Sequence, residues 1–223
     1  MIAKRTDQEI REGVSSELHW ELGLGAEEVG INVNSGLVTL TGTIGSYASK
    51  LAAQEAAHRV DGVLDVANEI LVRVPSASRR SEAEIARAVR SALEWDVLVP
   101  DELITSTVSD GFVTLEGSVK TLTERNDAEA AIRRLAGVLG VRNKITVVPP
   151  RIDPEGLQSK IEEALERRAI REAERIKVTV EDGTVTVSGP VQSWDEKLAI
   201  IGLVSHAPGV SRVNDELSIA RRM

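Results

Sequence analysis

Ser109-Asp110-Gly111-Phe112-Val113-Thr114-Leu115-Glu116-Gly117-Ser118-Val119 is the stretch on which the fold turns. Asp110-Gly111 stands between two runs, around Ile104 to Val108 and Val113 to Leu115, in which apolar and polar residues alternate. Asp-Gly between such runs is a strong hairpin signal, because glycine tolerates the positive φ that a tight two-residue turn needs. The pattern stands 75 residues earlier as Ser35-Gly36 with Val38-Thr39-Leu40, and 72 residues later as Asp182-Gly183 with Val185-Thr186-Val187. Gly36, Gly42 and Gly62 recur as Gly111, Gly117 and Gly137 and again as Gly183, Gly189 and Gly209, always with internal spacings of 6 and 20. The chain is therefore three copies of one unit. A period of about 70 residues exceeds the 20–50 of solenoid repeats, so each copy reads as a small domain.

The elements around the hairpin repeat as well. Upstream, apolar residues fall at i, i+4 and i+8: Ile10, Val14, Leu18; Ile85, Val89, Leu93; Leu157, Ile161, Leu165. That is one helical stripe. Thr6 with Glu9 and Ser81 with Glu84 have the form of capping boxes, and Asp153-Pro154 is an N-cap followed by proline at the first helical position. Downstream, Ser46, Thr121 and Ser193 predict the start of a second helix, with apolar faces at Ala53, Ala56, Ala57, Val60 and their equivalents. Gly62, Gly137 and Gly209 stand where a helix C-cap glycine is expected. Last strands are predicted over Val66 to Val72, Val141 to Val147 and Val213 to Ile219. The fold class is α+β: three tandem α-β-β-α-β domains, at residues 5–74, 79–149 and 152–221. Each is expected to form a three-stranded mixed sheet with both helices packed on one face.

Composition narrows the function. The 223 residues hold 27 Lys plus Arg against 35 Asp plus Glu, a net charge of −8, with no Cys. This excludes disulfides, thiolate metal sites and a cysteine nucleophile, and argues against nucleic acid as a partner. No apolar run is long enough for a transmembrane segment or a secretory signal, so a cytoplasmic location is expected. No nucleophile elbow or phosphate loop is found, and His19, His58 and His206 share no helical face, which reads as ordinary solvated histidines. No enzyme activity, cofactor or metal site is expected.

The order helix, strand, Asp-Gly, Val-Thr-Leu-x-Gly, helix, Gly-Val-x-x-Val-x-Asn resembles the BON domain, the bacterial OsmY and nodulation domain. Repeat 2 carries it most closely, ending in Gly137-Val138-Leu139-Gly140-Val141-Arg142-Asn143; repeat 3 departs most, with Pro190 after its glycine and Asp215 in place of Asn68 and Asn143. The resemblance implies a non-enzymatic module tied to osmotic stress and to attachment to phospholipid membranes, and in some members to potassium sensing. It also implies export for many members.

Candidate binding residues follow from position and chemistry. Trp20 and Trp95 are equivalent, with Arg167 in the third copy; they either pack a helix end on the next loop or anchor the surface to lipid headgroups or another copy. Tyr47 and Trp194 are equivalent, with Leu122 between them, just after the N-cap of the second helix; packing and contact roles are both open. Arg79-Arg80, Arg133-Arg134 and Arg167-Arg168 are local basic clusters. Residues 1–74 hold 6 basic and 11 acidic groups, 75–150 hold 10 and 11, and 151–223 hold 11 and 13, so an anionic partner is expected on repeats 2 and 3. Three readings of function are open: a phospholipid or envelope-surface binder, a tandem protein-interaction scaffold working by avidity, and an ion-sensing module for K⁺ or Ca²⁺. An oligomer is compatible with all three.

Overall fold

The structure, a computed structural model, describes residues 5–23, 28–76, 79–149, 153–167 and 175–220. Repeat 1 comprises α1 (Asp7–Leu22), β1 (Val29–Asn34), β2 (Leu37–Ile44), α2 (Tyr47–His58) and a last strand in two pieces, β3 (Asp65–Asn68) and β4 (Leu71–Val72). Repeat 2 follows with α3 (Glu82–Trp95), β5 (Ile104–Ser109), β6 (Phe112–Val119), α4 (Leu122–Ile132), β7 (Gly140–Asn143) and β8 (Thr146–Val147). Repeat 3 has α5 (Pro154–Arg167), β9 (Lys177–Glu181), β10 (Thr184–Val191), α6 (Trp194–Ser205) and an unbroken β11 (Arg212–Ile219).

The caps act as their sequence reads. Thr6, Ser81 and Thr121 accept the backbone N–H three residues on, and the glutamates at those positions return the bond. Asp153 Oδ2 accepts from Gly156 N at 3.0 Å, which caps α5 ahead of Pro154. The hairpin turns have positive φ at both central residues: 52° and 84° at Ser35-Gly36, 51° and 76° at Asp110-Gly111, 45° and 76° at Asp182-Gly183. That is the type I′ pattern, whose twist matches the flanking strands.

In each sheet the middle strand pairs antiparallel with the first and parallel with the last, as in Val33↔Val38 and Val38↔Val66. The period of two then sorts the faces. Val38 and Leu40 lie under α1 and α2 in one core with Ile10, Val14, Leu18, Ala53 and Ala56, while Leu37 and Thr41 face out. Repeats 2 and 3 build equivalent cores on Val113 with Leu115 and on Val185 with Val187.

Two details differ from the sequence expectation. Gly62, Gly137 and Gly209 are not at the helix C-cap. The second helices end at His58, Ile132 and Ser205, and Arg59, Arg133 and His206 cap them in ordinary αR geometry. The glycines come three or four residues later, each with positive φ inside a turn closed by bonds such as Val63 N to Val60 O at 3.1 Å. The last strands of repeats 1 and 2 are broken after Asn68 and Asn143, whose Oδ1 atoms accept from the N–H two residues on. Asp215 Oδ1 accepts in the same way from Leu217 N within the unbroken β11, so this bond alone does not interrupt the ladder. Ile70 and Ile145 turn into the core at that break.

Gly42, Gly117 and Gly189 lie where the middle strand passes the residue entering the first strand. A Cβ there would stand 2.0 to 2.3 Å from the carbonyl oxygen of Glu28, Leu103 or Arg175, and φ is 112° to 145°. No other residue type fits.

Candidate functional site

The candidate aromatics divide into two sets. Trp20 at the end of α1 and Trp95 at the end of α3 are 87% and 88% exposed. Trp95 does not pack on the loop that follows it. Next to Trp95, Val97 and Leu98 are also exposed, so three apolar side chains project within four residues. The sequence reading passed over Val97 and Leu98, which lie beyond the helical stripe and belong to no strand.

Tyr47, Leu122 and Trp194 begin α2, α4 and α6, and each leaves its own repeat. Tyr47 packs on the core of repeat 2. Its hydroxyl is pushed above the usual phenol range, first by burial and then by the charge of Glu129, against the backbone at Val141 and the charge of Arg133. Leu122 is buried within the core of repeat 3, and beside it Thr123 Oγ1 donates to Ser205 O at 3.4 Å. Trp194 returns to repeat 1 and stacks on His58, with ring centroids 3.6 Å apart and planes within 1°. Lys197 Nζ covers the same indole at 5.1 Å.

The receiving positions correspond too. His58, Arg133 and Ser205 are related by the repeat offsets of 75 and 72. One position thus meets the same receiving position three times: repeat 1 on 2, 2 on 3, and 3 on 1. A head-to-tail contact that returns to its start is a closed ring, here with an approximate threefold axis within one chain. Such a ring holds equivalent residues at one height, so Trp20, Trp95 and Arg167 share a face.

His58 is not the solvated histidine of the sequence reading. It is 5% exposed and its Nδ1 has no hydrogen-bond partner. Burial lowers its pKa to about 4; Asp65 opposes this and Lys197 adds to it. Nothing in its local sequence marked it, because its partner lies 136 residues away.

The basic clusters separate. Arg133 is half-buried at the joint that receives Tyr47, whereas Arg134 is exposed. Arg167 is exposed and reaches Glu163 at 3.3 Å. Arg168 lies outside the described residues. Among the described residues, no group of three or more His, Cys, Asp or Glu is placed to hold a metal ion, and no helix is long and apolar enough to cross a membrane.

The first helix and the hairpin are tied by a bond not anticipated from the sequence. Asp7 accepts from Ser35 N at 2.8 Å and Gly36 N at 3.1 Å, and Glu82 accepts from Asp110 N at 2.7 Å. The third copy has Pro154 at that position. The second helix and last strand are tied by Asn68 Nδ2 to Lys50 O at 2.9 Å and Asn143 Nδ2 to Arg125 O at 2.8 Å. Asp215 cannot donate; instead it takes a salt bridge of 2.8 Å from Lys197, the residue aligned with Lys50 and Arg125.

The BON domain model matches residues 6–74, 81–149 and 153–221. Osmotically-inducible protein Y of Escherichia coli (strain K12) is 25% identical over 122 residues, which cover 53% of this chain and 61% of that protein. The chain thus spans about three fifths of that relative's length. Among solved structures, CdsD, a structural protein of the type III secretion system of Chlamydia trachomatis, is 11% identical, with 94% of this chain and 91% of that chain covered at a TM-score of 0.27. The PrgH periplasmic domain is 11% identical, with 86% and 95% covered at a TM-score of 0.23. Scores this low carry no structural argument.

Proposed function

The chain belongs to the BON domain family, and from that membership we propose that it is a non-catalytic attachment protein that docks on anionic phospholipid surfaces in the response to osmotic stress. The observation that carries the reading is the pair of almost fully exposed indoles, Trp20 and Trp95, at one height on the ring. An indole with an apolar body and a polar N–H suits the headgroup layer. Arg167 occupies the third position on that face and supplies charge, worth about 1 kcal/mol per basic residue near an anionic surface. Val97 and Leu98 extend the apolar footing beside Trp95. Arg134 is a further exposed cation in repeat 2, while Tyr47, Trp194 and Arg133 serve the joints. Osmotic stress enters through the relative, whose name records osmotic induction.

The test is co-sedimentation of the full chain with vesicles of phosphatidylglycerol and phosphatidylcholine against phosphatidylcholine alone. Binding to the anionic vesicles at low salt is expected, weakening as salt rises. Trp20→Ala with Trp95→Ala is expected to weaken it by about 2 kcal/mol or more, given some 100 Å² of indole buried at about 25 cal/mol per Å². Absence of binding at low salt, or binding indifferent to both tryptophans, would overturn the reading.

A further inference from the structure

Repeat 3 carries a feature that repeat 1 closes. Between α5 and α6 runs a groove of about 740 Å³, within the range of roughly 300–1,000 Å³ typical of ligand sites. Its wall and floor are apolar: Ile161, Ala164, Leu198 and Leu203 line it, and Leu198 is 50% exposed on α6. Among the described residues, Lys160, Arg167 and His206 are the only ionisable ones that line it. Gly202 also lines it, and a Cβ there would meet nothing within 4 Å.

The other end of the chain explains why it is open. In repeat 1 α1 packs closely on the end of α2 and the turn after it: a Cβ on Gly13 would come within 2.9 Å of Cγ1 of Val60, two residues past that helix. The equivalent residues in repeat 3 are Lys160 and Ala207. A long side chain replaces the contact glycine and a small one replaces valine, so α5 and α6 cannot close in the same way. In repeat 1, Arg59 also bridges the helices to Glu21 at 2.8 Å and Glu17 at 3.4 Å. Its equivalent is His206, Glu17 becomes Ala164, and the residue aligned with Glu21 is Arg168. Both acids of the bridge are gone and basic residues remain.

We propose that this groove is a binding site for a single-chain anionic amphiphile of the fatty-acid type, with its hydrocarbon between α5 and α6 and its anionic head at the Lys160, Arg167 and His206 rim. Charge complementarity selects the head. Glu163 shares Arg167, and Asp127 of repeat 2 acts on His206 by charge, but neither lines the groove. The floor offers hydrocarbon contact and suits an acyl chain. A bilayer face cannot enter a cleft bounded by two helices, so the occupant is one free chain, and of the groove's lining only Arg167 is shared with the tryptophan face.

Calorimetric titration of the full chain with monomeric laurate tests the proposal. One saturable site is expected. Ala164→Glu with His206→Arg rebuilds the bridge of repeat 1, and Gly202→Phe fills the open space; each is expected to weaken laurate binding at least about tenfold, equivalent to 1.4 kcal/mol. Circular dichroism checks that the variants fold; should the double variant unfold, Gly202→Phe alone decides. No laurate binding overturns the proposal, and so does equal affinity for dodecanol or dodecyltrimethylammonium. Capture of an acidic amphipathic peptide in place of laurate also overturns it. Anionic-vesicle binding by the same variants is expected to persist; its loss together with laurate would mean that the groove is not a separate site.

Discussion

A single atom decides several positions in this molecule. Gly117 has no room for a Cβ, which would stand 2.1 Å from Leu103 O. Gly117→Ala is expected to lower stability by about 3 kcal/mol or more, from backbone strain and displacement of β5, read by urea denaturation. His58 is the other such residue. Its pKa is about 4 in the fold against 6.5 when unfolded, so the unfolded chain binds more protons between those values. Stability is then full above pH 6.5 and falls as the pH drops toward 4, by up to about 3 kcal/mol at 1.36 kcal/mol per unit. His58→Phe keeps the stack on Trp194 and is expected to flatten the profile between pH 6.5 and 4.5; an unchanged slope would exclude His58 as its source.

At the scale of the element, helix and hairpin were legible because each rests on local chemistry. Asp110-Gly111 needs only its own φ angles, and Ser81 with Glu84 needs only three residues of separation. The helix ends were less legible. Glycine past an apolar stripe is the usual C-cap signal, yet Arg59, Arg133 and His206 end α2, α4 and α6 without it and Gly62, Gly137 and Gly209 close the next turn. The tie between helix start and hairpin was not legible at all, since Asp7 and Ser35 are 28 residues apart and an acid in the first turn is ordinary helix chemistry. Asp7→Ala removes two charge-assisted bonds to the turn and is expected to cost about 1–2 kcal/mol, with Glu82→Ala, which loses one, nearer to 1. Thermal melts of the two variants check the order. The joints were hidden for a different reason. Tyr47, Leu122 and Trp194 share a position and a bulky apolar side chain, but their partners lie in other repeats.

For the whole molecule, the three joints are unequal. Repeats 1 and 2, and 2 and 3, are held by the chain as well as by Tyr47 and Leu122. The contact between repeats 3 and 1 has no covalent help and rests on Trp194 against His58. Trp194→Ala is expected to open the ring there while leaving each repeat folded. Small-angle scattering would show a larger radius of gyration with unchanged circular dichroism, whereas Leu122→Ala, tethered on both sides, would change the radius less. An unchanged radius for Trp194→Ala would show that the stack is not what closes the ring. Closure also sets the valence of the assembly. Every repeat spends one plug and one socket, and three repeats leave neither over. A fourth repeat would find no vacancy, and a chain of two would end in an unmatched plug and socket that another copy could fill. The number of repeats is in this sense a property of the joint angle, and the divergence among them, with tryptophan on two and an open groove on the third, is what a ring sealed within one chain leaves free to change.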